Sequence, residues 1–396
     1  MKVFRKSIQT GLENIHKKWP KQLKDARVGL LVHPASVNSR LHHASELFMK
    51  SKKFMVHALF GPQHGIFGET QDDMVEWKGF RDKKTGLPVY SLYGKNRKPT
   101  PSMLENIDVL AVDLQDAGSR YYTFIWTIEL CMQACTETDK SIVILDRPNP
   151  IGGQRIEGPV LETQFSSFVG QRTLPVRHGM TIGEIARYLQ QIYYPSLDLH
   201  VISLQGWKRT MWFDQTGIPW VMPSPNMPTL DTATVYPGMC LLEGTNLSEG
   251  RGTTRPFEIF GAPYIDAVKF VQRLNHYKLP GVVFRPLTFQ PTFQKYAGQL
   301  CSGAQIHISN RENFKPFKTA VAILCVVREM YSRNFAWKPP PYEYEYQKMP
   351  IDILAGTDQL RRFIEQGNSL RQMEKWWTKQ CNDFDKKIRR HFLLYK

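Results

Sequence analysis

The chain has no apolar run long enough to cross a bilayer: its longest, around AVAILCVV at 320–327, is far short of the ~20 residues a spanning helix needs. Paired cysteines are missing too. The six, at 131, 135, 240, 301, 325 and 381, are scattered through mostly apolar contexts and lack the close spacing of a zinc site. Cys131 and Cys135, four apart on an expected helix, read as buried side chains rather than a redox pair. There is no GxGxxG after the first expected strand, no phosphate-binding loop, and no GxSxG, HExxH or Cys-His signature. Nicotinamide chemistry and serine, zinc and thiol mechanisms therefore find no support, and neither a metal nor a cofactor is expected. The opening MKVFRKSIQTGLENIHKKWPKQ offers no continuous apolar segment of the ~7–15 residues a secretory signal uses, so the expected location is cytoplasmic. Internal repeats and low-complexity tracts are absent.

What the chain does have is the makings of a large core. Its 396 residues are 42% hydrophobic and 12% aromatic, which fits a folded protein of two or three domains rather than a disordered one. A net charge of +16 favours an acidic partner or a merely solvated basic surface. Lys and Arg come in ones and twos (KSKK, RDKK, DKKIRR) without a dense basic block or RNA-binding signature. Nucleic acid and membrane insertion are accordingly not expected.

Short β-branched runs, VGLLV (28–32), FMVHALF (54–60), VYSLY (89–93), VLAVDL (109–114), IVILD (142–146) and LHVISL (199–204), alternate with amphipathic segments in the first half. One of these segments opens with Thr181 and carries Glu184 three residues later, a capping-box spacing. The pattern predicts an α/β fold with a Rossmann-like parallel sheet covered on both faces over residues 1–235. Residues 236–396 read as a smaller α+β domain, with helices near 264–276, 315–334, 357–366 and 369–390 and strands at VVFRPL and AQIHIS. KPPPYEYEY (338–346) reads as an ordered loop, with a polyproline ligand as the other reading.

In an open parallel sheet, ligands bind beyond the carboxyl ends of the strands. HPAS, GPQHGIFGE, QDAGSR and DRPNPIGG follow four expected strands and would bring His33, Gln63, His64, Glu69, Gln115, Asp116, Arg120, Asp146, Arg147 and Asn149 to one rim. Each cluster alone could be a turn plus a cap, as Asp116 before a helix or DRPNP as a Pro-rich turn would be. PSPNMPT (223–229) and EGTNLSEGRGTTRPFE (243–258) add amides, hydroxyls, acids and arginines on loops suited to a polar ligand. Carboxylates beside amides, His and Arg make acid/base work on a sugar one candidate. A nucleotide-using transferase is a weaker one, lacking a phosphate loop. Glu69, Asp72 and Asp73 could also be a solvated acidic face, though Gly61, Gly65 and Gly68 favour a loop whose backbone meets a ligand.

These motifs together, GPQHG, TGLPVYSLYG, DLQDAGSRYYTF, LDRPNPIGG with EGPVLE, RHGMTIGEIA, PSPNMPT, YPGMCLLEGTNLSEGRGTTRPFEIFGAP and the terminal LLY, cover nearly the whole chain. In them the chain resembles the exo-β-N-acetylmuramidase family typified by NamZ, a group long known only as a domain of unknown function. The resemblance implies a Rossmann-like domain and a smaller C-terminal domain with the active site in the cleft between them. It also implies removal of terminal N-acetylmuramic acid from peptidoglycan fragments, so the implied partner is a muropeptide or a MurNAc-containing oligosaccharide. By position it implies Glu69, Glu157 and His64 as catalytic. Gln63, Gln115, Asp116, Arg120, Tyr122, Asp146, Asn149, Asn226, Glu243, Asn246, Glu249 and Arg251 would be substrate-binding. Many members resemble GPEHG where this chain has Gln63, and an amide can be neither proton donor nor carboxylate nucleophile. Glu69, the nearest carboxylate in sequence, is then the expected acid/base, and a sugar-binding protein with little turnover is the alternative.

Overall fold

The computed structural model describes residues 8–71 and 75–396. Asp72 and Asp73 of the acidic cluster lie outside the described residues.

The central sheet has seven strands. Six of them are β1 (Arg27–Val32), β2 (Met55–Gly61), β3 (Phe80–Arg81), β4 (Pro88–Ser91), β5 (Val109–Asp113) and β6 (Ser141–Leu145). A short pair follows, β7 (Glu157–Val160) and β8 (Pro175–Arg177), and then the seventh sheet strand, β9 (Leu199–Ile202). The order is β3-β4-β2-β1-β5-β6-β9, parallel throughout except for the antiparallel edge strand β3. Leaving β3 aside, this is the doubly wound Rossmann-like order. It reverses direction on either side of β1, so a crevice opens between the carboxyl ends of β1 and β5. β5 is buried along its whole length, which explains its unbroken apolar run.

The helices over Phe124–Glu137 and Ile182–Tyr193 cover the sheet. The predicted capping box is present: Thr181 Oγ1 accepts from Glu184 N, and the Glu184 carboxylate accepts from Thr181 N. The run expected as a strand through Tyr93 stops at Ser91, because the Ser91 hydroxyl takes the Tyr93 amide and turns the chain out of the sheet. That turn aims Tyr93 toward the cleft described below.

The C-terminal part carries an antiparallel sheet ordered β10-β12-β11, made of β10 (Ile259–Ala262), β11 (Val282–Phe289) and β12 (Cys301–Ile308). Helices at Ala267–Asn275, Pro316–Met330, Gln359–Glu365 and Leu370–Phe384 fall where helices were expected. The expected division at 235/236 falls inside the helix Leu230–Met239, which packs against Pro316–Met330, and one continuous apolar core runs through both parts. Gly238 makes that packing possible: a Cβ there would stand 1.9 Å from the Pro316 carbonyl oxygen. Gly238→Ala should therefore cost about 1–3 kcal/mol, as overpacking does, read as a lower urea midpoint at unchanged slope. An unchanged midpoint would show that the two helices can separate without penalty.

Candidate active site

The rim is built before the site. After β1, the buried ring of His33 accepts a hydrogen bond from Gln115 N on Nε2 (2.9 Å) and lies 3.1 Å from the Pro223 carbonyl through Nδ1. Burial, with Arg147 nearby, holds its pKa well below the usual value, so the ring is neutral, with Nδ1–H donating to Pro223. One side chain thus ties the ends of β1 and β5 to the PSPNMPT loop. Arg147, following β6, forks onto Asp113 at the end of β5 (2.6 and 2.8 Å), fixing the neighbouring strand end.

Above this rim lies a narrow cleft between the two parts of the chain, with a free volume of about 40 Å3. Gln63 and His64 come from the loop after β2, Tyr121 to Phe124 from the loop after β5, and Ser224, Asn226 and Met227 from the PSPNMPT loop. The C-terminal part contributes Tyr236, Glu243, Arg251, Phe257, Tyr342 and Glu343. Tyr121, Tyr122, Tyr236 and Phe257 meet edge to face, with ring centroids 4.9–5.8 Å apart, and form an apolar wall. Non-glycine residues in the left-handed region are uncommon, yet His64 (φ 70°), Phe257 (φ 63°) and Glu343 (φ 45°) all line this cleft. Strain of this kind gathers where a site over-determines its geometry.

Two carboxyl groups face each other's field here under opposite conditions. The Glu243 Oε1 accepts from Arg251 Nη2 (2.8 Å), and its Oε2 accepts from the Tyr342 hydroxyl. Burial raises its pKa, but Arg251 and these hydrogen bonds outweigh burial and hold the carboxyl below its usual range. Glu343 has no cation of its own at bonding distance among the described residues. It accepts from Tyr93 Oη (3.1 Å) and, more weakly, from Gln63 Nε2 (3.4 Å). Burial first, and the charge of Glu243 second, push it up to about 7. Behind Arg251 lie Glu249 (3.6 Å) and Lys295, the latter 2.9 Å from Glu249.

Gln63 sits at the centre of the polar network. Its Oε1 takes the Thr123 hydroxyl (2.6 Å), and its Nε2 donates to Tyr93 Oη (3.0 Å) as well as to Glu343. The His64 Nδ1–H donates to Thr70 O (2.7 Å), and burial lowers the pKa of the ring to about 4, leaving Nε2 a neutral acceptor. Asn226 closes the site by donating to Gln71 O (2.8 Å), which pins the β2 loop to PSPNMPT. The Tyr122 hydroxyl, near Ser224, is buried without a well-formed hydrogen bond, a group placed to receive a ligand.

Of the residues singled out from sequence, the cleft brings together Gln63, His64, Tyr122, Asn226, Glu243 and Arg251, with Glu249 behind them. The others lie elsewhere. Glu69 is exposed, with its carboxyl against Gly65 rather than on the cleft wall. Glu157 accepts from Lys318 N (2.9 Å) at the start of the helix Pro316–Met330 and lines a different depression with Arg177 and Glu374. Arg120 is a buried clamp, donating to the carbonyls of Pro159, Leu174 and Leu354 (2.7–2.9 Å) and so joining the two parts of the chain. Asp116 accepts from Gly118 N (2.7 Å) and pairs with His178. Asp146 holds Thr181, Gly183 N and the terminal Tyr395. Gln115, Asn149 and Asn246 bind backbone groups, Gln115 at Asp116 and Pro148, Asn149 at Met180 and Asn246 at Asn334. Sequence reasoning passed over Tyr93, Thr123, Tyr342 and Glu343. For the last two the signal was present, since an acid and tyrosines recur inside the proline-bearing loop KPPPYEYEY.

A family model described as exo-beta-N-acetylmuramidase NamZ, N-terminal, matches residues 28–231, and its C-terminal counterpart matches residues 234–395. The chain is 43% identical over 389 residues to the peptidoglycan beta-N-acetylmuramidase NamZ of Bacillus subtilis, covering 98% of this chain and 91% of that protein. The crystal structure of a DUF1343 family protein from Bacteroides fragilis is similar at a TM-score of 0.88 and 35% identity, over 99% of this chain and 100% of that one. A second from the same organism gives a TM-score of 0.76 at 28% identity, over 98% and 99%.

The raised pKa of Glu343 has a stability consequence with a definite sign. A carboxyl that binds its proton more tightly folded than unfolded stabilises the fold fully below its unfolded pKa of about 4.5. That contribution is lost as pH rises through about 7. Glu343→Gln removes the ionisation, so its melting temperature relative to the parent should climb between pH 5 and pH 8.5. A difference that stays flat across that range would show that Glu343 is not held protonated.

Proposed function

The chain belongs to the exo-β-N-acetylmuramidase family typified by NamZ, and on that membership we propose that it is an exo-acting glycoside hydrolase removing terminal β-linked N-acetylmuramic acid from peptidoglycan fragments. The observation that carries this reading is the carboxyl pair, Glu243 held ionised and Glu343 pushed up to about 7, in one aromatic-walled cleft. Pairs of carboxyls whose surroundings drive their pKa values apart are how glycosidases divide acid work from charge stabilisation. The reading carries with it a role in cell-wall turnover. Residues 1–235 would supply most of the cleft loops and 236–396 would close it.

In this proposal Glu343, rather than the exposed Glu69, donates its proton to the leaving oxygen. Glu243 has both oxygens engaged by Arg251 and Tyr342, which suits it to stabilise positive charge developing at the anomeric carbon rather than to attack it. The nucleophile is then a water or the substrate's own 2-acetamido oxygen. Gln63, in place of a glutamate, keeps a donor against Glu343 without adding a second negative charge. Neutral His64 and the Tyr122 hydroxyl beside Ser224 are placed to bind sugar hydroxyls.

General acid catalysis contributes ~10²–10⁴-fold, so Glu343→Gln should slow hydrolysis of a muramoyl disaccharide by about that factor. It should slow an aryl muramide with an acidic leaving group much less, because that bond needs little protonation. Glu69→Gln should leave both rates near parental; a large loss there, with Glu343→Gln still active, would move the acid back to Glu69. In the parent, kcat/KM should fall as pH rises through about 7. Gln63→Glu places a second carboxyl against Glu343, and should keep or raise activity while moving that falling limb upward. Tight disaccharide binding by the parent with no product at any pH would make it a binding protein instead.

A further inference from the structure

Beside the cleft lies a second depression of about 530 Å3, walled by Lys95, Arg97, Lys98 and Arg172 with the hydroxyls of Ser166 and Ser167. No carboxylate lines it among the described residues. Glu137 and Glu129 neutralise Lys98 and Arg172 from outside it. Lys95 is exposed and Arg97 half-buried, and neither has a carboxylate partner among the described residues. The Arg97 guanidinium stands over the rings of Phe168 (5.2 Å) and Tyr344 (4.6 Å), which fixes it in place while leaving its charge unspent.

A chain of ring contacts links this groove to the carboxyl pair. Phe168 lines the groove and the adjacent Val169 lines the cleft. Tyr344, against Arg97, follows Glu343 directly in the chain. The Tyr93 ring lies 6.0 Å from Phe168 and 5.7 Å from Tyr344, and its hydroxyl binds Glu343. A ligand seated in the cleft and carrying a charged branch a few bonds long would reach the groove over this wall.

Resting on the reading of the cleft as a muramoyl site, we propose that the Lys95–Arg97 groove binds the acidic peptide attached to the lactyl group of the sugar. The chemistry of the two matches. Cations meet the free carboxylates, while the hydroxyls of Ser166 and Ser167 and the amide of Gln171 meet backbone amides. A neutral sugar leaving group has no use for unpaired cations. The groove also gives part of the +16 net charge a local function.

The test uses the full chain and two ligands, N-acetylmuramic acid and N-acetylmuramoyl-L-alanyl-D-glutamate, compared by calorimetry on the parent and on Lys95→Glu. Lys95 is exposed, so the variant should fold; a matching melting temperature checks that. Lys95→Glu should weaken binding of the peptide-bearing ligand by roughly threefold to tenfold and leave the bare sugar acid unchanged. The parent's preference for the peptide form should shrink as salt rises from 0.05 to 0.5 M. Equal effects on both ligands, or none, would overturn the groove assignment. Failure of the parent to bind either ligand would instead overturn the muramoyl reading of the cleft, so the two failures are distinct. Hydrolysis of a peptide-free aryl muramide at the parental rate by Lys95→Glu would confirm that the groove acts on recognition and not on the chemical step.

Discussion

Burying two carboxyl groups in one narrow cleft while giving only one of them, among the described residues, a cation at bonding distance is the constraint on which the site depends. Two adjacent negative charges in a desolvated pocket are costly, and the protein resolves this by unequal pairing. Arg251 and Tyr342 secure Glu243 as the anion, whereas Tyr93 and Gln63 offer Glu343 only neutral donors. The proton on Glu343 is therefore a product of packing. Anything that wets the cleft or releases Arg251 would equalise the pair and remove the division of labour. Lys295, through Glu249, holds Arg251 in place from behind.

The scaffold delivers this arrangement through its strand ends. His33, neutral and bonded on both ring nitrogens, locks the crevice at the switch point of the sheet, and Arg120 spans from the first part to Leu354 in the second with no carboxylate partner among the described residues. Burial lowers the Arg120 pKa to about 10, a sign of how dry that junction is. The cleft thus joins two halves that share one core, and His64, Phe257 and Glu343 line it with their unusual backbone angles.

Much of this was legible in the sequence. The six apolar runs marked the parallel strands, most completely β5, which is buried along its whole length, and the Thr181–Glu184 spacing marked a real capping box. Gln63 and His64 could be placed at the cleft because they follow a strand end of the parallel sheet, whereas Tyr122, Asn226, Glu243 and Arg251 were placed there by the family resemblance. What could not be read was which polar residues on the rim face inward. Asp116, Asp146, Asn149 and Arg120 have the same composition as site residues, yet they bond to backbone groups and side chains of the scaffold. Glu343 was missed for the opposite reason. It arrives from a proline-bearing loop 280 positions after Gln63, so although the acids and tyrosines of that loop were visible, the strand-end argument did not reach it.

The most direct test is a carbon-13 NMR titration of the side-chain carboxyl groups in glutamate-labelled protein, with the Glu343 signal assigned by its loss in Glu343→Gln. The account predicts one carboxyl titrating near 7 and belonging to Glu343, together with a Glu243 signal that remains ionised down to acidic pH. A Glu343 signal titrating near the ordinary glutamate value of about 4.3 would contradict it, because the residue would then carry no proton to give at neutral pH.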